Sequence, residues 1–223
     1  MRYEIKYVFA PGHADAVLKT VLRSSYLFKE IYHERQVNNI YLDTPGLSDY
    51  RDSVNGASNR SKTRIRWYGP LQQRCEPMLE IKRKNGMAGT KKGFLLPEIV
   101  FGRTFDYRQY AERIRAIGGD SLAFFSELRI KCPSIVNTYH RRYFATPDAL
   151  CRVTIDWAMR FYGLPEAKLS DNFYISDPNI VLEIKFKESD LQRVLPFIQS
   201  FGYRIGKNSK YVNGVNAVYS GVR

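Results

Sequence analysis

Residues 62–68 read Lys-Thr-Arg-Ile-Arg-Trp-Tyr, and charged and apolar side chains alternate along this stretch. Lys62, Arg64 and Arg66 are cations, and the apolar residues Ile65 and Trp67 occupy odd positions. Because successive side chains of a strand point to opposite faces of the sheet, this alternation predicts a β-strand with one cationic and one apolar face. Three like charges on one face repel one another, so taken alone a solvated edge strand is the simpler interpretation.

Four other segments repeat the alternation, and three of them contain a Glu-x-Lys pair. These segments are 2–9, 78–84, 151–160 and 181–187. Two less regular runs, 36–43 and 135–145, also predict strands, which makes seven in all. A short strand near 93–100 or near 209–217 would make eight.

Helical spacing of apolar residues occurs between the strands. It predicts helices over 14–22, 107–117, 121–130 and 189–203, the last strained by Pro196. The chain has no internal repeat, low-complexity tract or obvious linker, so we predict one domain over residues 1–223.

The chain is strongly basic, with 35 Lys and Arg residues against 22 Asp and Glu and a formal charge of +13. Such an excess favours an anionic partner, namely nucleic acid, a membrane surface or a phosphate-rich small molecule, although it also serves solubility. The three cysteines have no metal-ligand spacing, and their odd number argues against a disulfide framework. The N-terminus has no apolar core of a signal peptide and no run is long enough to span a membrane, so we expect a cytoplasmic protein.

The recurrence of charged faces decides the fold that we predict. About eight antiparallel strands can close into a barrel that holds one ligand. With helices covering the apolar faces, the charged faces would turn inward. We therefore predict an α+β fold, an eight-stranded antiparallel β-barrel with helices packed outside. A lumen rich in Lys and Arg suits phosphate, and Glu residues beside them suit Mg²⁺ or Mn²⁺, which bridge carboxylate and phosphate oxygens.

The motifs of the chain occur in a recognisable order: YEIKY, SKTRIRWYG, LEIKRK, YHRRYF, CRVTID, VLEIKF and KNSKY. From residue 3 to about residue 212 this order resembles the VTC (vacuolar transporter chaperone) domain of the triphosphate tunnel metalloenzymes, also called the CYTH-like superfamily. The resemblance implies a tunnel that binds a triphosphate chain and a divalent metal, Mn²⁺ or Mg²⁺. It also implies a polyphosphate polymerase, which moves the γ-phosphate of ATP onto a growing chain and releases ADP.

The resemblance implies a role for individual residues, each by its place in a motif. Phosphate-gripping, catalytic roles fall to Lys6, Arg64, Arg66, Lys82, Arg141 and Arg152. Substrate binding, near one mouth of the tunnel for the last three, falls to Lys91, Lys207, Ser209 and Lys210. Metal binding falls to Glu183. Glu80 or Glu4 is a candidate second ligand, and charge balancing among basic neighbours is the alternative role of these glutamates. The implied partners are ATP, triphosphate and inorganic polyphosphate.

Several alternatives stay open at this point. A shift of one residue in strand register would exchange Arg141 with Arg142. The start of the chain has Glu4-Ile5-Lys6 in place of the ExExK run of the wider superfamily, which favours the VTC branch. The same site could use water as acceptor and hydrolyse triphosphate, or bind polyphosphate without catalysis. Nucleic-acid binding follows from charge alone, but the sequence has none of the usual nucleic-acid-binding motifs, and we expect none.

Overall fold

The computed structural model of the protein describes residues 2–86, 88–102, 105–118, 129–164 and 173–220. Within these ranges the chain forms eleven strands and five α-helices. A helix was predicted over 121–130, and residues 121–128 of this segment lie outside the described residues. No helix in the described part of the chain is long and apolar enough to cross a membrane.

The elements are numbered here in chain order. The strands are β1 (Arg2–Phe9), β2 (Lys29–Asp43), β3 (Asn59–Tyr68), β4 (Gln73–Cys75), β5 (Met78–Asn85), β6 (Ala88–Leu95), β7 (Ile99–Phe101), β8 (Cys132–Ala145), β9 (Cys151–Gly163), β10 (Ile175–Asp177) and β11 (Ile180–Lys187). The helices are α1 (Ala14–Leu22), α2 (Ser48–Val54), α3 (Tyr107–Gly118), α4 (Leu191–Gln199) and α5 (Lys210–Tyr219).

Nine strands belong to one large sheet, whose main path runs β1-β11-β9-β8-β2-β3-β5-β6, with β10 paired to β9. The pairs with a defined register are antiparallel. The remaining two strands, β4 and β7, form a small sheet of their own. This confirms the predicted α+β class with a large antiparallel sheet of eight main strands. Closure of that sheet into a barrel stays a prediction.

All seven strands predicted from alternation are present, and β6 is the eighth. It begins five residues earlier than the short strand considered near 93–100. The other candidate, a strand near 209–217, is wrong because this segment forms helix α5. Tyr211 and Val215 are both buried at a spacing of four residues, which places them on one helical face.

The chain divides into two compact units. The first unit comprises Met1–Gln36, Tyr139–Met159 and Ser176–Ser209, and the second comprises Val37–Thr138, Arg160–Ile175 and Lys210–Arg223. Each unit has its own apolar core. The prediction of one domain over residues 1–223 stays a prediction.

The core of the first unit lies between strands and helices with matching apolar faces. Strand β1 contributes Tyr7 and Phe9, and helix α4 contributes Val194, Phe197 and Ile198 at helical spacing. The hydroxyl of Tyr7 donates to the carbonyl of Ile198 at 2.7 Å, so strand and helix are also joined by a buried hydrogen bond. This packing leaves the opposite, charged face of β1 for other contacts.

The core of the second unit uses the odd positions of β3. Ile65 and Trp67 are fully buried in it, and the Trp67 ring lies 4.6 Å from that of Phe101 on β7. Helix α3 adds Tyr110 and Ile114 to the same cluster. The apolar half of the 62–68 stretch is therefore core, as the alternation predicts.

A buried carboxylate, Asp43, organises the end of β2. It accepts hydrogen bonds from the backbone N–H of Asp49 and of Tyr50, both at 2.9 Å, and so satisfies the first turn of α2. The hydroxyl of Tyr211 on α5 donates to the same carboxylate. Asp49 in turn pairs with the buried ammonium of Lys131 at 2.6 Å.

Candidate functional site

In the first unit, the sheet face opposite the apolar core carries alternating charges on neighbouring strands. Lys6 lies directly across from Glu183 in the β1–β11 ladder, and Glu4 lies directly across from Lys185. Directly opposed residues of an antiparallel pair point to the same face. The Glu183 carboxylate contacts both ammonium groups, with Lys6 Nζ at 3.8 Å and Lys185 Nζ closer.

Glu183 is a carboxylate held among cations in a buried position, since only 8% of its side chain is exposed. Burial by itself raises the pKa of this group, but the positive charges of Lys185, Lys6 and Arg141 outweigh burial and hold the pKa well below its ordinary value. Glu183 is therefore ionised at neutral pH and acts as a fixed negative charge beneath a cationic surface.

Arg141 on β8 belongs to this charged face, and its neighbour does not. Its guanidinium forms two hydrogen bonds with Asp156, at 2.5 Å from Nε and 2.7 Å from Nη2, and Asp156 is fully buried. Burial acts to lower the pKa of Arg141, but Asp156 and other negative groups raise it well above its ordinary value. Arg142 instead pairs with Glu30 at 2.7 Å and lies over the ring of Phe144. Arg141, and not Arg142, therefore interacts with Glu183 on this face.

Lys6 also holds the chain segment that precedes α5. Its backbone carbonyl accepts from the N–H of Gly206 at 3.0 Å, and its ammonium donates to the carbonyl of Asn208 at 2.9 Å. Lys207 is exposed and Ser209 is half-buried, on either side of Asn208. Two of the predicted substrate-binding residues are therefore fixed to β1 in the first unit. The fourth residue of this motif, Lys210, is half-buried and begins α5 in the second unit.

Strand β9 adds one cation and one hydroxyl to the face in the first unit. Arg152 is exposed and lies directly across from Lys185. Thr154 lies directly across from Glu183, and its Oγ1 is buried without a hydrogen-bond partner. A buried hydroxyl without a partner is costly, so Thr154 is a candidate to contact a bound ligand.

The second unit repeats the arrangement around Glu80 on β5. Arg64 lies directly across from it on β3, with Nε at 2.6 Å and Nη2 at 2.5 Å from Oε2. Arg66 Nη1 lies 3.5 Å from the same oxygen, and Lys91 Nζ contacts Oε1. Burial raises the pKa of Glu80, but these cations outweigh burial and lower the pKa to about 2.

Two buried asparagine side chains fix the orientation of the Arg66 guanidinium. Its Nε donates to Oδ1 of Asn39 on β2 at 2.9 Å, and the amide nitrogen of Asn39 donates to Oδ1 of Asn137 on β8 at 3.3 Å. Both asparagines are fully buried. This chain of hydrogen bonds fixes the direction of the guanidinium, because a buried amide has few alternative partners.

Lys82 and Lys91 lie directly opposite each other on β5 and β6, and Lys62 lies directly opposite Lys82 on β3. Lys91 has 51% of its side chain exposed and Lys82 is exposed as well. All three ammonium groups therefore stand on the face that carries Glu80.

Comparison with known proteins identifies the family of the chain. A family model described as the VTC domain matches residues 1–219. The chain belongs to the VTC domain family. Among curated proteins, none matches this VTC domain.

Solved structures share the fold of this VTC domain at low sequence identity. A "putative adenylate cyclase" from Bacillus halodurans aligns with a TM-score of 0.58 at 11% identity, over 96% of each chain. Another from Vibrio parahaemolyticus aligns with a TM-score of 0.52 at 14% identity, over 94% of this chain and 95% of that one. A Pyrococcus horikoshii protein aligns with a TM-score of 0.50 at 11% identity over the whole of both chains. These matches show that the chain shares the overall fold of the three solved structures.

The residues of the VTC domain fit a divalent cation that is shared with substrate. Among the described residues, no group of three or more His, Cys, Asp or Glu side chains could hold a metal ion by itself. Mg²⁺, however, is commonly held by one or two carboxylates together with substrate phosphates. Glu183 and Glu4 contact the same two ammonium groups, and the unpartnered Thr154 Oγ1 lies across from Glu183. These oxygens are the hard ligands that such a cation prefers.

Some residues of the two clusters in the VTC domain were missed by the sequence analysis. Asp156 and Arg152 are four residues apart in the strand that contains CRVTID, so alternation places both side chains on the same face of the sheet. This spacing is the signal that could have identified Asp156. Lys185 completes a Glu-x-Lys pair with Glu183, and that pattern was seen without a role being given to the lysine. Asn39 follows Asn38 between the apolar residues Val37 and Ile40 of β2, and a polar residue in a buried strand usually has a hydrogen-bond partner.

Proposed function

We propose that the protein is a metal-dependent polyphosphate polymerase, which transfers the γ-phosphoryl group of ATP to the end of an inorganic polyphosphate chain. Membership of the VTC family supports this assignment. The observation that carries it is the same in both units: a buried glutamate, Glu183 or Glu80, held at low pKa by three cations on one sheet face. Such a face is a prepared anion site, since a phosphate group can replace the carboxylate as partner of the cations.

The reaction moves one phosphoryl group between two oxygens. An oxygen of the terminal phosphate on the acceptor chain forms a bond to the γ-phosphorus of ATP. The bond from that phosphorus to the β–γ bridging oxygen breaks, its electron pair stays on that oxygen, and ADP leaves. Little covalent chemistry is required from the protein, so positioning and charge neutralisation supply the catalysis.

Each group of residues has a stated role in this proposal. Arg64, Arg66 and Arg141 bind non-bridging phosphate oxygens through their planar guanidinium forks. The remaining catalytic cations are Lys6, Lys82 and Arg152, and the substrate-binding residues are Lys91, Lys207, Ser209 and Lys210. The proposal includes the closed eight-stranded barrel, whose interior these charged faces would line.

Glu183 and Glu80 are the proposed ligands of Mn²⁺ or Mg²⁺. A bound divalent cation would neutralise charge on the phosphate oxygens. The chain's own part is to keep both carboxylates ionised, which the low pKa of each guarantees at neutral pH. Lys6 and Lys185 hold Glu183 in place, and Arg64 holds Glu80.

The test incubates purified protein with ATP and Mn²⁺, or with Mg²⁺, and separates the products on a gel that resolves polyphosphate by length. We expect a ladder of polyphosphate together with ADP. Glu183→Gln should abolish the ladder while the protein stays folded. Glu34→Gln is the matched control, because Glu34 pairs with His140 in the same unit and belongs to neither cluster.

Other products would point to other functions. Free phosphate and ADP without polymer would identify a hydrolase that uses water as acceptor at the same cations. Polyphosphate binding that is unchanged in Glu183→Gln, with no product from ATP under either metal, would identify a binding protein. Either result would overturn the polymerase assignment.

A further inference from the structure

Three apolar side chains adjoin the Glu80 cluster on the same face of the sheet. Arg66 lies directly across from Met78 on β5, and Met78 lies directly across from Leu95 on β6. Directly opposed residues point to the same face, so Met78 and Leu95 share the face of Arg66. Tyr68 follows Arg66 by two positions on β3 and is a diagonal neighbour of Met78, within reach of a long side chain.

The apolar patch formed by Tyr68, Met78 and Leu95 is open to solvent. The exposed fractions of these residues are 46%, 42% and 70%. Ile65 and Leu79, on the opposite face of the same strands, are fully buried. Adjacent exposed apolar side chains beside a charged site commonly mark a place where a ligand or a partner binds.

Gly93 gives the patch a flat floor. It lies directly across from Glu80, and the sulfur of Met78 lies 3.1 Å from the position that a Cβ at Gly93 would take. The Met78 side chain therefore reaches over the backbone of Gly93, toward the Glu80 cluster. A polarisable thioether that lies over bare backbone suits the face of a planar ring.

We infer that this patch binds the base of the nucleotide whose phosphates are held at Arg64 and Arg66. The inference deepens the proposed function and rests on it for the presence of a nucleotide. Residues that share a face of a strand are about 6.8 Å apart, so Tyr68 lies one such step beyond Arg66, a distance that a ribose can bridge. The α-phosphate is then nearest Arg66, and the γ-phosphate lies on the side of Glu80.

The size of the patch favours a small ligand over a protein. A stable protein interface buries about 800 Å² on each partner, and three side chains supply far less than that area. A nucleotide needs only one apolar surface for its base, next to cations for its phosphates. Arg66 joins the two, since it lies directly across from Met78 and also contacts Glu80.

The side chains of the patch predict little selection among purine bases. Stacking on an aromatic ring such as Tyr68 depends on the face of the base, which every base has. Met78 and Leu95 add apolar contact, which is non-directional and does not read the donors and acceptors on the edge of the base. ATP and GTP should therefore both bind here.

The test measures the affinity of the whole protein for ATP, GTP and tripolyphosphate by isothermal titration in a buffer that contains EDTA. The patch variant is Met78→Ser/Leu95→Ser, and Leu95→Ser alone replaces it if the double variant does not fold. The control is Val54→Ser/Val100→Ser, which removes two exposed apolar side chains of the same unit from α2 and β7. Thermal melts verify folding, and size-exclusion chromatography measures the oligomeric state.

We expect the patch variant to lose about five- to tenfold in affinity for ATP and for GTP, and Leu95→Ser alone to lose at least about twofold. The affinity for tripolyphosphate should change by less than about twofold in either variant, and the control should match the wild type. An equal loss for tripolyphosphate, a loss for ATP alone, an equal loss in the control, or no loss would each overturn the base site. Unchanged nucleotide affinity with an altered oligomeric state would also overturn it, because the patch would then be a protein interface.

Failure of the base site and failure of the proposed function give different results. A wild-type protein that binds ATP through the patch but forms no polymer would overturn the polymerase and leave the base site standing. A wild-type protein that forms polymer, with no change of ATP affinity in the patch variant, would overturn the base site and leave the polymerase standing.

Discussion

Arg64 and Glu80 face each other across the β3–β5 ladder, and two nitrogens of the guanidinium, Nε and Nη2, lie at 2.6 and 2.5 Å from one carboxylate oxygen. The edge of the guanidinium that best matches a phosphate is thus occupied by a carboxylate. Any phosphate that binds Arg64 through this edge has to compete with Glu80. The competition leads to the first prediction.

Replacing Glu80 with Gln should tighten the binding of triphosphate in the absence of metal. The amide keeps the shape of the side chain but removes the charge that Arg64, Arg66 and Lys91 now neutralise. We expect affinity in EDTA to rise by roughly threefold or more, about 0.7 kcal/mol. Isothermal titration with tripolyphosphate measures it.

The same variant separates the two roles of Glu80. If Glu80 is a metal ligand, Mn²⁺ should strengthen triphosphate binding in the wild type and not in Glu80→Gln. Equal strengthening by Mn²⁺ in both proteins would show that Glu80 only balances charge.

The pKa of Glu80 predicts a loss of stability in acid. Its folded-state pKa of about 2 lies below the ordinary value of 4.5, so the folded protein binds this proton less readily than the unfolded chain does. The resulting stabilisation is complete above about pH 4.5 and is lost as the pH falls toward about 2. The wild type should therefore exceed Glu80→Gln in free energy of unfolding at pH 6, and the difference should shrink below about pH 4.5. Urea titrations across this range measure it, and a constant difference would contradict the assignment.

Arg141 and Arg142 should differ sharply in their effect on stability. Arg141→Met removes the guanidinium that donates two hydrogen bonds to the fully buried Asp156, and breaking a buried pair in this way costs about 3 to 5 kcal/mol. Arg142→Met removes a partly exposed pair with Glu30 and should cost about 1 kcal/mol or less. Urea unfolding of both variants distinguishes them, and equal costs would mean that the register of β8 is shifted.

Gly214 is expected to be indispensable for the packing of α5. A Cβ at this position would lie 2.6 Å from Cδ1 of Phe161 and would also overlap Ile135. Gly214→Ala should therefore destabilise the protein by about 1 to 3 kcal/mol. Gly206→Ala is the control, because a Cβ at Gly206 meets nothing within 4 Å. A thermal melt in which Gly214→Ala equals the control would contradict the close approach of α5.

Alternation predicted the strands well because it follows from backbone geometry. Ile65 and Trp67 are core and Arg64 and Arg66 share the opposite face, as the 62–68 stretch alone indicated. The strand considered near 209–217 was wrong because the apolar residues of this segment are few and fit a period of two as well as a period of four. Burial of Tyr211 and Val215 decided for the helix, and no local signal supplied that contact.

The sequence predicted that glutamates and cations share a strand face, but not which cation pairs with which carboxylate. The Glu-x-Lys pairs by themselves predict that Glu183 and Glu80 lie among cations. Which cation meets which carboxylate depends on strand register, which a single sequence does not specify when several pairings keep the apolar face buried. Asp156 was missed for this reason, since its importance comes from Arg141 on a different strand.

Asp43 helps to position Lys210 as well as the first turn of α2. One carboxylate joins the end of β2 to the first turn of α2 and to Tyr211, the residue that follows Lys210 in the chain. Lys210 is thus located by a group that touches no phosphate in our proposal. A substitution at Asp43 would loosen the KNSK motif at its α5 end, and its kinetic effect would resemble that of a lost lysine. The Asp43 carboxylate is therefore remote from the proposed chemistry, yet it is needed to position Lys210, one of the proposed substrate-binding residues.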